Sequence, residues 1–146
     1  MWRRSEVARS RIWVLYLLLS VVGGCGGQAY PGPPRAAVCG KVTFDGTPIG
    51  FGSISFLPKD GKGPVSGGTI TDGMFSIAEE FGPTIGEQTV RFQWRKPTGK
   101  KQVDLDSGEE VDETEEGLPE KYHSKSTETV TIKPGPNDCI FALTSK

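Results

Sequence analysis

Histidine is nearly missing from this 146-residue chain: His123 is the only one, followed by "SKS". A zinc peptidase needs imidazole and carboxylate ligands around an open coordination position, and one imidazole cannot supply such a set. No GxSxG elbow is present to expose a nucleophilic serine, and His123 beside Tyr122 reads as an ordinary loop residue. The three cysteines, Cys25, Cys39 and Cys139, lack the CxxC spacing of a redox centre. Long apolar runs are also missing. The longest, Ile12 to Val22, holds 11 residues, against the roughly 20 that a spanning helix needs. No amphipathic helical pattern follows residue 25, and 20 glycines and 11 prolines discourage one. These absences point away from an enzyme and from a helical fold.

What is present begins with "MWRRSEVARSR", in which Arg3, Arg4, Arg9 and Arg11 outnumber Glu6, followed by the short apolar run and then "VGGC". Basic region, apolar run and small residues form an export signal covering residues 1–24. The order resembles the lipobox of bacterial lipoproteins, whose cysteine becomes the first mature residue and carries the lipid. That resemblance implies lipidation at Cys25, with the membrane as partner and the cell envelope as location. Each buried methylene contributes about 0.8 kcal/mol, so more than one acyl chain is needed for a stable anchor. The competing reading is a simple signal peptide with an incidental cysteine. Glu6 sits where a twin-arginine signal carries an apolar residue, which argues against that export route.

Removing residues 1–24 leaves 122 residues with 13 Lys/Arg against 17 Asp/Glu, a formal charge of about −4. No basic patch for nucleic acid remains. Residues 25–36, "CGGQAYPGPPRA", suit a Gly/Pro-rich tether, and residues 37–146 are long enough for one domain with one core.

Within that domain "VCGKVTF" at 38–44 alternates with period two and meets Asp45-Gly46, a dipeptide suited to a tight turn. The same grammar returns at 53–58, 66–70, 74–77, 87–94, 128–132 and 139–143. Between these runs fall "PKDGKGP", "TDG", "EEFGPTIG" and "PGPND". Seven short strands predict an all-β, two-sheet sandwich. "VCGKVTFDGTPIGFGSISFLP", "GGTITDGMFSI" and "GPTIGEQTVRF" resemble successive segments of carboxypeptidase regulatory-like domains. The matching residues are Gly40, Val42, Asp45, Gly46, Pro48, Ile54, Phe56, Pro58, Thr71, Asp72, Gly73, Phe75, Gly86, Val90 and Phe92. The resemblance implies a transthyretin-like (prealbumin-like) Greek-key sandwich. Its motifs are turn and core residues, so they imply a fold and no peptidase activity.

Cys39 alternates out of phase with Val38, Val42 and Phe44, whereas Cys139 is in phase with Phe141 and Leu143. An oxidising envelope permits a disulfide between Cys39 and Cys139, and opposite parity argues for two unpaired thiols; both readings stay open. The segment "DLDSGEEVDETEEGLPE", residues 104–120, carries nine acids and no Lys or Arg. Asp104, Asp106, Glu109, Glu110 and Asp112 are candidate calcium ligands, since calcium takes six to eight oxygens. Their spacing is not that of an EF-hand, and a like-charged block reads more readily as a solvated insertion. Phe44, Phe56, Phe75, Phe92, Trp94 and Phe141 sit at inward strand positions. Tyr30, Phe51 and Tyr122 lie outside clear strand patterns, too few for a sugar-stacking platform. The resulting expectation is a non-catalytic binding or structural module of a lipid-anchored envelope protein, with an envelope protein or glycan as partner. The alternative is a calcium- or carbohydrate-binding accessory protein for a separate envelope enzyme.

Overall fold

The computed structural model describes residues 32–146. The expected export signal at 1–24, Cys25 and the first part of the expected tether lie outside the described residues. The described residues are all-β, with nine strands: β1 (Val38–Phe44), β2 (Thr47–Pro48), β3 (Phe51–Pro58), β4 (Ser66–Thr71), β5 (Met74–Ile77), β6 (Gly86–Val103), β7 (Glu110–Glu116), β8 (Thr129–Ile132) and β9 (Asn137–Leu143). Two single 3-10 turns, Glu79–Phe81 and Glu120–Tyr122, complete the elements. No helix among the described residues is long and apolar enough to cross a membrane. All seven expected strands are present, and β2 and β7 are additional to them.

Hydrogen bonding runs along the path β2-β1-β5-β4-β3-β6-β7, with β8 added to β6 and β9 to β1. Every pairing is antiparallel except β1 with β9, which run parallel in register from Val38↔Asn137 to Phe44↔Leu143. Two Asp-Gly turns set the hairpins β1-β2 and β4-β5. Asp45, Gly46, Asp72 and Gly73 all have positive φ, at 47°, 80°, 50° and 75°, the backbone that a two-residue hairpin turn demands and that Asp and Gly tolerate. β4 and β5 share a single ladder pair, Thr71↔Met74, so the chain turns a corner there from β3/β4/β6 to β1/β5/β9.

Alternation places the core between those two groups. Ile54, Phe56, Ile70, Val90, Phe92 and Ile132 come from one group, and Val38, Val42, Phe75, Ile77, Phe141 and Leu143 from the other, all buried. Rings meet across the interior: Phe92 and Phe141 have centroids 5.0 Å apart at 66°, and Phe56 and Phe75 lie 6.2 Å apart. Such tilted pairs add to the area they bury. Gly40 is required by close packing, because a Cβ there would lie 1.8 Å from the carbonyl oxygen of Cys139 on β9.

The fold starts before the predicted boundary at residue 37. The Ile85 N–H donates to Pro34 O at 3.0 Å, the Ala36 N–H donates to Pro83 O at 3.1 Å, and Ala36 is 1% exposed. The end of the Gly/Pro-rich stretch is therefore an extended strap laid along residues 83–85. Its prolines lack N–H donors but keep their carbonyls, and Pro34 uses its own in this pairing.

Candidate functional site

The sequence-predicted residues separate into several places. β6 leaves the core after Trp94 and continues to Val103 as one arm of a ribbon with β7. Between Arg95 and Glu116 no residue is buried. Basic residues on β6 face acids on β7 in the pairs Arg95↔Glu116, Lys96↔Glu115 and Lys101↔Asp112. Lys101 Nζ lies 2.6 Å from Asp112 Oδ1. The register slips between Pro97 and Lys101, where Thr98 Oγ1 donates to Glu113 Oε2 at 2.8 Å. At the base, Glu116 Oε1 accepts from the N–H groups of Trp94 and Leu118, each at 3.0 Å.

The acidic segment is solvent-facing, as expected of a solvated insertion, and is built as a tip, a paired strand and a return. Basic residues on the neighbouring strand stand opposite three of these acids, and one, Asp112, forms an ion pair that a linear count of acids does not see. At the tip, Asp104 Oδ1 accepts from the N–H groups of Asp106 at 2.8 Å and Ser107 at 3.0 Å. The N–H groups of Ser107 and Asp106 hold its carboxyl below the ordinary 3.8. Asp104, Asp106 and Glu109 lie at or beside the turn, Glu110 and Asp112 lie on β7, and Asp112 is occupied by Lys101. Among the described residues no three His, Cys, Asp or Glu side chains gather closely enough to hold a metal ion.

Cys39 and Cys139 are free thiols, Cys39 exposed and Cys139 buried. β1 and β9 are neighbours, but Cys39 lies opposite Asp138 and Gly40 lies opposite Cys139. One thiol therefore faces outward and the other inward, and no disulfide joins them. Burial, followed by Asp138 and Cys39, pushes the Cys139 thiol above its ordinary 9.0.

Tyr122 is a core residue, 6% exposed, contrary to its expected place among unpatterned surface aromatics. Its hydroxyl donates to Thr144 O at 3.1 Å and accepts from the Thr144 N–H at 2.9 Å. Phe51 is exposed but is the first residue of β3, paired with Thr71, and so does not lie outside the strands as expected. His123 follows the second 3-10 turn and lines a shallow cavity of about 410 Å³ with Ser55, Leu57, Arg91 and Gln93.

A second cavity, of about 620 Å³, lies where the strap, the β3-β4 loop and the start of β6 meet. Pro33 and Ile85 supply apolar wall, Lys59, Asp60, Lys62 and Glu87 the rim, and Thr84 and Gln88 polar wall. Lys59 Nζ is 2.6 Å from Glu87 Oε1, and Asp60 Oδ1 accepts the Lys62 N–H at 2.8 Å. Gln88 is 1% exposed. Its Nε2 donates to Thr84 O at 2.8 Å and Thr84 Oγ1 at 3.1 Å, while its Oε1 has no partner. Sequence reading passed over Gln88, although it shares inward parity with Val90 and Phe92 and is the one strongly polar side chain at that parity within residues 86–94 of β6.

The chain matches no protein-family model, no curated protein and no solved structure.

Proposed function

We propose that this chain is the non-catalytic binding module of an exported, lipid-anchored cell-envelope protein. In this reading the frame is a seven-stranded, two-sheet Greek-key sandwich of the transthyretin-like, carboxypeptidase regulatory-like kind, to which β2 and β7 are additions. Cys25 carries the lipid, and the Gly/Pro-rich segment spaces the domain from the membrane.

The observation that carries the reading is the β6-β7 ribbon. An isolated two-stranded hairpin is marginal in water, yet this one extends from the sheet with basic residues opposite acids and the Lys101–Asp112 ion pair, and contributes no buried residue to the core. A stretch that stabilises so little of the fold is explained by what it presents: a charged arm with Leu105 98% exposed at its tip. A polar, charge-patterned surface of this kind serves selection of a protein partner and rate of encounter more than raw affinity.

The test is cross-linking in intact cells with a tag after Lys146, run on the native chain, on Cys25→Ala and on the double reversal Lys96→Glu/Lys101→Glu. The native chain is expected in the membrane fraction with a defined cross-linked partner. Cys25→Ala is expected to leave the membrane fraction, and the double reversal to stay there and lose the partner. Membrane retention by Cys25→Ala refutes the lipid anchor, and an unchanged partner with the double reversal refutes the arm.

A further inference from the structure

β9 leaves one side of its ladder open. Asn137 donates its N–H to Ala37 O, and Leu143 O accepts from the Asp45 N–H, each at 2.9 Å. The odd-numbered residues of β9 thus turn their backbone groups toward β1. Alternation aims those of Asp138, Ile140 and Ala142 the other way, where no strand pairs with them among the described residues. The open stretch is bounded at both ends. Thr144, the next residue of that parity, already has its N–H and carbonyl oxygen bonded to the Tyr122 hydroxyl. Pro136, at the other end, has no N–H to offer. Three residues are left, centred on Ile140.

Edge strands are ordinarily blunted by shortness, charge, proline or bulges. β5 and β8 have four residues each, β4 begins Ser66-Gly67-Gly68, and β7 is crowded with acids. β9 has seven residues and no proline, its one charge is Asp138, and Ile140 at its centre is 76% exposed.

The donor and acceptor pattern of this edge is complementary to itself. Set antiparallel about a twofold axis at Ile140, a second copy brings Ile140 opposite Ile140 and Asp138 opposite Ala142. Every outward N–H then meets a carbonyl oxygen across the axis, six bonds from three residues on each side. The next pair outward would set Thr144 opposite Pro136, which is where each edge already ends. Asp138 faces an alanine rather than another acid, so no like charges stand across the ladder. The two Ile140 side chains meet on the solvent face, in the row of Lys41 and the exposed Met74.

We propose that β9 is a self-association edge, along which two copies of this chain pair antiparallel through Asp138, Ile140 and Ala142 and continue the β5-β1-β9 sheet across a twofold axis. Interfaces carry about one hydrogen bond per 100–200 Å², so six correspond to roughly 600–1,200 Å², the small end of specific association. The dimer is reversible, and trapping reads it better than isolation.

The experiment is disulfide trapping in intact cells, using the full chain tagged after Lys146 with Cys39→Ser to remove the exposed native thiol. Copper-phenanthroline is the oxidant. Opposite residues in such a ladder have Cα atoms about 5.5 Å apart, within the roughly 4.4–6.8 Å that a disulfide spans. Ile140→Cys is expected to give a covalent dimer of twice the chain mass. Val65→Cys, exposed on another strand's approach, is expected to give none above the Cys39→Ser background. Asp138→Cys and Ala142→Cys, co-expressed with different tags, are expected to link to each other. Neither is expected to link to its own kind, which lies about 13 Å farther along the strand. Ile140→Lys, added to both co-expressed chains, sets two ammonium groups face to face and is expected to abolish their link. All these side chains are exposed, so the core is untouched.

Absence of an Ile140→Cys dimer above the Val65→Cys level overturns the proposal. So does self-linkage of Asp138→Cys, which means another register, and so does a co-expressed link that survives Ile140→Lys. Linkage of Ile140→Cys to a foreign protein in place of a second copy overturns it as well. The thiols report the β9 edge and the double charge reversal reports the arm, so failure of either leaves the other standing.

Discussion

At the scale of single residues, parity decides chemistry. Cys39 and Cys139 sit on adjacent strands, one step out of alignment, and that step sends their thiols to opposite faces. Reactivity should follow. The thiolate is the attacking form, and burial holds Cys139 above its ordinary range while Cys39 is exposed. In Cys25→Ala protein at mildly alkaline pH, a disulfide-exchange reagent should titrate one thiol quickly and the second only on unfolding. Cys39→Ser should abolish the fast phase, and a mass two protons short of the dithiol form would show instead that the pair is oxidised. The opposite parity of the two cysteines was legible in "AAVCGKVTF" and "CIFAL", because strand alternation is a local property, while their pairing was left open. Tyr122 and Gln88 were not legible in the same way. Tyr122 lies in a 3-10 turn with no period, and its hydroxyl is satisfied by Thr144, 22 residues away. Gln88 has the right parity for the core and the wrong polarity, and only the fold shows that it stands where a cavity opens.

At the scale of elements, the seven strands followed from alternation and turn chemistry, and β7 did not. "EVDETEE" is poor in the β-branched and aromatic residues that mark strands. Its stability as a strand comes from β6, whose Arg95, Lys96 and Lys101 stand opposite its acids. That complementarity is present in the sequence as a basic stretch, turn residues and an acidic stretch, but the register that pairs them is a property of the hairpin. Exposed pairs of this kind contribute about 0.2–1 kcal/mol each and are screened by salt, so the ribbon should be dispensable for folding. Replacing residues 98–113 with an Asn-Gly turn joins the existing pair Pro97↔Thr114 through a two-residue hairpin. Its effect on stability should be within about 0.5 kcal/mol, as for surface changes that touch no core feature. Urea denaturation checks this: an unchanged midpoint is expected with the m value reduced only slightly. A large loss would mean that the ribbon braces the core through Glu116, whose carboxylate accepts from Trp94 and Leu118.

At the scale of the whole molecule, the first and last strands of the described domain complete each other. β1 and β9 pair along all seven residues, about a hundred positions apart in sequence, and the ring of Phe141 carries that pairing into the interior against Phe75 and Phe92. Loss of β9 packing therefore reaches both groups of strands at once. Truncating a buried phenylalanine costs about 3–5 kcal/mol, a large share of the roughly 5–15 kcal/mol that holds a domain together. Phe141→Ala should lower the urea midpoint sharply and move every probe together. Trp94 makes this easy to read in a chain that starts at residue 25, because the other two tryptophans, Trp2 and Trp13, precede it. Its ring lies at the base of the arm, 5.9 Å from Phe44 of β1, so its fluorescence reports the contact between β6 and β1. Far-UV circular dichroism reports the strands throughout. Coincident midpoints from the two signals, both lowered by the substitution, are expected if the core links all the strands cooperatively. Separate midpoints would mean that β1/β5/β9 can release while β3/β4/β6 persists. The turn at Thr71↔Met74, the one ladder pair between β4 and β5, would then be a hinge between two units rather than a corner within one.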